Sequence, residues 1–253
     1  KHPYWLSGAA ISTFALALQF TALTLAPLIV VQPIGAIALV ITAILNARVT
    51  KTKLNKASIT AIAICTSGLG VFVLLAHDVA VEPEIDDSAL MLILALVISL
   101  AAVLGLALLR SNAKFKPLTF IVGAGVLYGF VATLTKVVFK RLFNQDGFNR
   151  LVSMQFELVT DGLTILALVA MLAAAFLGGW FVQNAYTSGP PDLVIAGLTV
   201  IDPLVAVSIG VIVLNEAMNA PFGIMLGFIA SGTVAVIGVY LLSKVHPELR
   251  RNT

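Results

Sequence analysis

Charge is scarce in this sequence. Only 11% of its 253 residues are Asp, Glu, Lys or Arg, against about 25% in a typical soluble domain. Hydrophobic residues make up 60%, so a water-facing coat cannot be assembled and a soluble globular fold is excluded. Cysteine is reduced to Cys65, inside an apolar run, which excludes an intrachain disulfide. The three histidines, His2, His77 and His246, all fall at the ends of apolar runs. No Gly-rich phosphate loop, Walker-type run, zinc-ligand cluster or Gly-x-Ser-x-Gly is present. An intramembrane enzyme needs a nucleophile with its base, a metal set or two close carboxylates. Asp202 and Glu216 lie about 21 Å apart along a continuous helix, too far to share a proton. An enzyme is not expected, nor a cofactor, and the residues single out no metal. The net charge of +3 sits in short clusters between apolar runs, so no nucleic-acid partner is expected either.

What remains is long apolar runs. A helix needs about 20 such residues to cross the hydrocarbon core. Trp5 to Ala47 carries no charge, and Ala26-Pro27 divides it, because proline lacks an N–H and disfavours helix in the residue before it. The runs predict eight spans, at 5–25, 27–47, 57–77, 88–109, 117–140, 160–187, 190–215 and 220–243. They are continuous rather than alternating, which argues for an all-α polytopic bundle over a β-barrel. No cleavable signal pattern precedes the first run. Arg48, Lys51, Lys53 and Lys56 follow the second span, Asp78, Glu82, Glu84, Asp86 and Asp87 the third, and Arg110, Lys114 and Lys116 the fourth. With Lys244, Arg250 and Arg251 in the tail, the alternation predicts cytoplasmic basic loops and a cytoplasmic C-terminus in the plasma (cell inner) membrane. Lys140, Arg141 and Arg150 dissent, lying in a connection assigned outside. Segment 141–159 there mixes Phe143, Phe148, Leu151, Met154 and Phe156 with charges, as a surface-lying amphipathic piece or an ordered loop would.

The two halves resemble each other. Ala22-Leu-Thr-Leu-Ala-Pro27 parallels Ala185-Tyr-Thr-Ser-Gly-Pro190, and Gln32-Pro33 parallels Asp202-Pro203. Leu45-Asn46 parallels Leu214-Asn215, and Ser67-Gly68 parallels Ser231-Gly232. Spans one to three thus match spans six to eight, and the odd separation inverts one set against the other. Inverted repeats are a recurring plan of secondary transporters, with the solute site at the midplane. Residues 1–110 form the first repeat and 117–253 the second, within one membrane domain. The fifth span has no partner, so a ninth helix is expected before Lys1.

The Ala-Leu…Ala-Pro-Leu…Gln-Pro run at 22–33 and the Ala-Tyr…Gly-Pro…Asp-Pro-Leu…Leu-Asn-Glu run at 185–216 resemble the drug/metabolite transporter superfamily, in its EamA-like permeases. Gly123 to Lys136, with Gly125, Gly129 and Lys136, is similar to the opening helix of the second repeat in that family. The resemblance implies two inverted five-helix units around a central cavity, exporting or exchanging small metabolites. A nine-helix count also resembles the branch proposed to move magnesium. The chain departs from the ten-helix pattern at both ends, and has Arg48 near where many relatives carry a glutamate.

Asp202, halfway along the seventh span, is the residue that invites chemistry. An ionised carboxylate there costs on the order of 2.5–3.5 kcal/mol by insertion scales, and intramembrane acids are functional by default. Pro203 frees an upstream carbonyl, and a carboxylate beside free carbonyls suits a proton, a cation or an amine. The alternative is a protonated Asp that shapes a kink. Gln32 is its counterpart before Pro33. Gln19, Gln183 and Asn184 hold matched late positions in spans one and six, facing an aqueous cavity or bonding between helices. Tyr128 and Tyr186 supply cavity hydroxyls or packing. Lys136 falls about 28 Å beyond Pro117 along a helix, so it is expected at the outer interface, snorkelling or acting as a gate or partner of Asp161. Glu216 is expected at the interface too, with gating or coupling as its functional alternative. Gly125-x3-Gly129 and Gly223-x3-Gly227-x3-Ser231 predict close helix packing, while Trp5 suits interface anchoring and Trp180 packing. The expected function is alternating-access movement of a small metabolite or drug-like solute, coupled to a proton or cation. A magnesium or cation transporter, a flippase for lipid or polyprenyl headgroups, and a structural subunit of a larger membrane complex stay open, as does a homodimer.

Overall fold

The computed structural model describes residues 3–49, 56–82, 84–110, 116–142, 162–188 and 191–245. They hold α1 (Pro3–Leu25), α2 (Leu28–Val49), α3 (Lys56–Val79), α4 (Asp87–Arg110), α5 (Lys116–Leu142), α6 (Gly162–Ser188), α7 (Pro191–Ile212) and α8 (Phe222–Val245). No strand occurs among the described residues. Each expected span has its helix, and the break between α1 and α2 falls at Pro27. Segment 143–161, including Asp161, lies outside the described residues, as do Lys1 and His2. Six helices, α1, α3, α4, α5, α6 and α8, are long and apolar enough to cross a membrane, while α7 offers the shorter apolar stretch Gly197–Ile212.

Local chemistry sets the ends. Asp86 caps α4: its Oδ1 accepts the Ala89 N–H at 2.9 Å and its Oδ2 accepts the Ser88 hydroxyl at 2.8 Å. An N-cap carboxylate satisfies a donor that has no intrahelical partner. These bonds hold its pKa below the ordinary carboxylate value, the Ala89 bond most of all. At the far end, α7 stops at Ile212, short of the expected 215. Asn215 adopts φ 56°, the left-handed conformation that Asn tolerates better than most residues. The chain there turns back, with the Glu216 N–H on the Gly210 carbonyl at 2.9 Å.

Glycines bring the helices together where lipid gives no hydrophobic drive. α5 packs on α6 and α7, and also meets α1 and α4. A Cβ at Gly125 would stand 2.7 Å from Ile201 Cβ, and one at Gly129 2.7 Å from Val205 Cβ, so these residues let α5 and α7 touch. The α3–α8 contact is closer still, with Gly68 against the Ala235 backbone and Gly238 against that of Cys65. Gly227 faces Leu75 as its spacing suggested, but Gly223 faces open space, so the small-residue face of α8 works from Gly227 onward. Outward, Phe14, Leu109 and Phe176 are among many large apolar residues left exposed. Trp180 packs edge-on against Phe120 and Phe181, at ring separations of 5.9 and 5.4 Å.

Candidate functional site

Two polar features lie within this apolar bundle. The first is at the level of the helix-interior prolines. Pro33 in α2 and Pro203 in α7 wall one cavity of about 70 Å³, together with Leu69, Phe72, Thr199 and Val200. Each proline withdraws the N–H that the carbonyl four residues earlier would have accepted, at Ile29 and Thr199. The residues preceding the prolines are Gln32 and Asp202. Gln32 is 6% exposed, and its Nε2 finds no acceptor; the buried Asp202 Oδ1 finds no donor. Buried polar atoms are rarely left unpaired, and each exception needs a reason. α2 and α7 pack on each other, so an orphan donor and an orphan acceptor stand on neighbouring helices. The Asp202 backbone also lies against α5, since a Cβ at Gly129 would reach its carbonyl oxygen at 2.9 Å. The Tyr128 ring lies over Gly178 and Gly179 of α6.

The second feature is an ion cluster at the end where α2 and α4 begin and α3, α5 and α7 finish. Lys136, 1% exposed, donates to Glu82 Oε1 at 2.7 Å, Glu216 Oε1 at 2.9 Å and the Ala26 carbonyl at 3.1 Å. An ammonium has three donors, and all are used. Glu216 is fully buried. Besides Lys136, its carboxylate accepts the Leu28 and Ile29 N–H groups, each at 2.9 Å, capping α2 from across the bundle. Its main-chain carbonyl accepts the Val81 N–H at 2.8 Å. Glu82 turns its other oxygen to Lys140 at 2.7 Å, and Arg141 pairs with Asp87 at 2.7 Å.

Lys136 and Glu216 are both buried within the protein, so the snorkelling expected of Lys136 does not occur and Glu216 does not face solvent. Lys136 does lie near a helix end, but the α3–α4 connection and the α7–α8 turn roof it over, and its carboxylates are Glu82 and Glu216. The dissenting bases Lys140 and Arg141 are matched to acids of the neighbouring connection. Of the other expected residues, Gln19 and Gln183 stand exposed on α1 and α6. Asn184 spends a donor on the Trp180 carbonyl of its own helix at 2.8 Å. Tyr186 is 41% exposed. Sequence reasoning missed Glu82, one of five acids in its connection, and the capping role of Glu216. The only available signal was an acid just beyond the Asn215 turn. Among the described residues, no three His, Cys, Asp or Glu side chains gather where a metal ion would be held.

Long apolar helices, an apolar exterior and polar groups turned inward define a helical membrane protein. The chain is similar to an uncharacterised protein of Corynebacterium glutamicum, 28% identical over 216 residues that cover 85% of this chain and 70% of that one. No family model matches the chain, and no solved structure matches it.

Proposed function

We propose that this protein moves a small solute across the plasma membrane by alternating access, without enzymatic chemistry, and that Asp202 and Gln32 form its central polar contact. The observation that carries this reading is the pair of orphaned buried atoms, Asp202 Oδ1 and Gln32 Nε2, on adjacent helices whose next residues, Pro203 and Pro33, line one cavity. Leaving them unpaired costs about 1–3 kcal/mol each, a cost that a bound solute removes. An acceptor carboxylate in apolar walls suits an amine or other cationic group carrying a small apolar body.

Two further observations support the reading. Two of the three span pairs equated by the internal repeat, two with seven and three with eight, pack together, an arrangement compatible with inverted halves about a two-fold axis. This keeps the drug/metabolite transporter resemblance as the family proposal. Among the described residues at the end assigned outside, Lys140 and Arg141 are paired with acids, and the excess of bases in the loops of the other end keeps a cytoplasmic C-terminus as the proposed orientation.

The test is flux in proteoliposomes against a panel of amines, cations, metabolites and lipids. Asp202→Asn should keep insertion and folding, because an amide is less costly to bury than a charge, and should abolish proton- or cation-coupled movement. Gln32→Ala should weaken solute affinity and leave coupling intact. Normal flux with unchanged pH dependence in Asp202→Asn would overturn the assignment.

A further inference from the structure

The cluster of Lys136, Glu216, Glu82 and Lys140 is more elaborate than a fastener needs to be. Burying an ion pair in place of well-packed apolar side chains is commonly neutral or costly. This bundle already shows the cheaper alternative at α3–α8, where Gly68 and Gly238 allow close backbone approach and apolar side chains such as Phe72 and Phe228 pack across the join. The cluster instead ties four separate stretches: the start of α2, the α3–α4 connection, α5 and the α7–α8 turn. Two of these belong to each half of the internal repeat. We propose that this cluster is the gate closing one end of the solute path, opened by separating Glu216 and Lys136 from the α2 N-terminus and Glu82. The assignment rests on the transport reading above and adds which end is shut and by which bonds.

Position supports it. Leu28, whose N–H the Glu216 carboxylate holds, is one helical turn from Gln32, about 6 Å along α2. A solute drawing on Gln32 thus acts on the helix whose first turn the gate clamps. Leu28, Val31, Leu134, Ile209 and Leu214 pack into one buried cluster that seals this end. The cavity beside Pro33 and Pro203 runs the other way, with Thr199, Val200 and Val239 on the side remote from the ions.

Chemistry permits opening. Glu82 and Lys140 keep 32% and 30% of their side chains exposed, so water already meets one flank of the cluster. Ions released there are rehydrated rather than stranded in hydrocarbon. The repeat also makes the clamp one-sided. Leu214-Asn215-Glu216 aligns with Leu45-Asn46-Ala47, which puts alanine where the clamping carboxylate would stand at the opposite end.

The experiment uses thiols on a Cys65→Ala background. Val81→Cys and Met218→Cys flank the Val81–Glu216 bond and are joined by a reducible bifunctional reagent. Val31→Cys, beneath the cluster, reports access to a charged impermeant thiol reagent from the Glu84 side of sealed vesicles. The bridge is formed first, with position 31 still native in a parallel sample to correct for reagent loss. Minor open states are populated at roughly 0.1–10%, so locking them out should slow modification at position 31 about tenfold or more, reversed on cutting the bridge. Flux should fall and recover in step. Modification at position 31 that is equally fast with and without the bridge overturns the gate, whatever the flux. Slowed modification in a protein that moves nothing in the panel upholds the closure and overturns the transport reading instead. Because the bridge leaves Lys136 and Glu216 intact, a folding defect cannot imitate either result. Lys136→Gln supplies the converse check: position 31 should become about tenfold more reactive from that side alone, and an unchanged rate in the folded variant overturns the gate.

Discussion

Replacing Glu216 by alanine should damage the bundle far more than replacing Glu82, although both carboxylates touch the same ammonium. Glu216 is fully buried and makes three side-chain hydrogen bonds, to Lys136 and to the Leu28 and Ile29 N–H groups. Its removal leaves a 1%-exposed ammonium short of one acceptor and strips two N–H groups at the head of α2. Breaking a buried pair from one side costs about 3–5 kcal/mol, which already contains most of the loss from the stranded donors. Glu82 keeps 32% of its side chain exposed, and water can replace it, so Glu82→Ala should cost about 1 kcal/mol or less. A Lys136→Met/Glu216→Gln double variant removes the ammonium together with the carboxylate and should recover part of the single-variant loss. The assay is the denaturation midpoint of purified protein in mild detergent, titrated with a denaturing detergent and followed by helical circular dichroism. Equal losses for Glu216→Ala and Glu82→Ala would refute the burial argument. A double variant as unstable as the sum of its single changes would refute the coupling between Lys136 and Glu216.

Three shorter predictions follow from other parts of the molecule. Gly129→Ala should destabilise the bundle by about 1–3 kcal/mol through overpacking against Val205, whereas Gly35→Ala, with nothing within 4 Å of its Cβ, should be neutral or stabilising; equal effects in the same denaturant titration would contradict the close α5–α7 approach. Asp86→Ala should lower stability near neutral pH. The folded-state pKa of Asp86 is depressed, so its contribution is present above the ordinary carboxylate pKa and fades as pH falls through the lower folded value; a deficit that persists unchanged at strongly acid pH would remove the capping explanation. Finally, Glu84→Cys should be labelled from outside intact cells and Lys56→Cys only after permeabilisation, on the Cys65→Ala background, and the reverse pattern would invert the proposed orientation.

Composition and run length determined the helical membrane class and the helix boundaries. The scarcity of charge leaves lipid as the only workable solvent for this chain, and spanning segments must satisfy their own backbone hydrogen bonds. Pro27 marks the α1–α2 break legibly, and Pro33 and Pro203 mark helix-interior carbonyls without a donor, because a missing N–H acts locally. The end of α7 was less legible, since nothing in an apolar run announces that Asn215 will take a left-handed turn. Gly125 and Gly129 were readable as a packing face, but their partners Ile201 and Val205 were not, because the sequence gives a face and not its neighbour. The site divides in the same way. Asp202 and Gln32 were visible as polar residues in apolar surroundings, a contrast that sequence preserves. The burial of Lys136 and Glu216 was not legible, because distance along a helix measures depth and not burial. Only the tertiary structure folds the α3–α4 connection and the α7–α8 turn over that end. A charge near a helix terminus meets water in one arrangement and a ring of acceptors in the other, and the bonds that decide between them join Lys136 to residues as distant in the chain as Ala26 and Glu216.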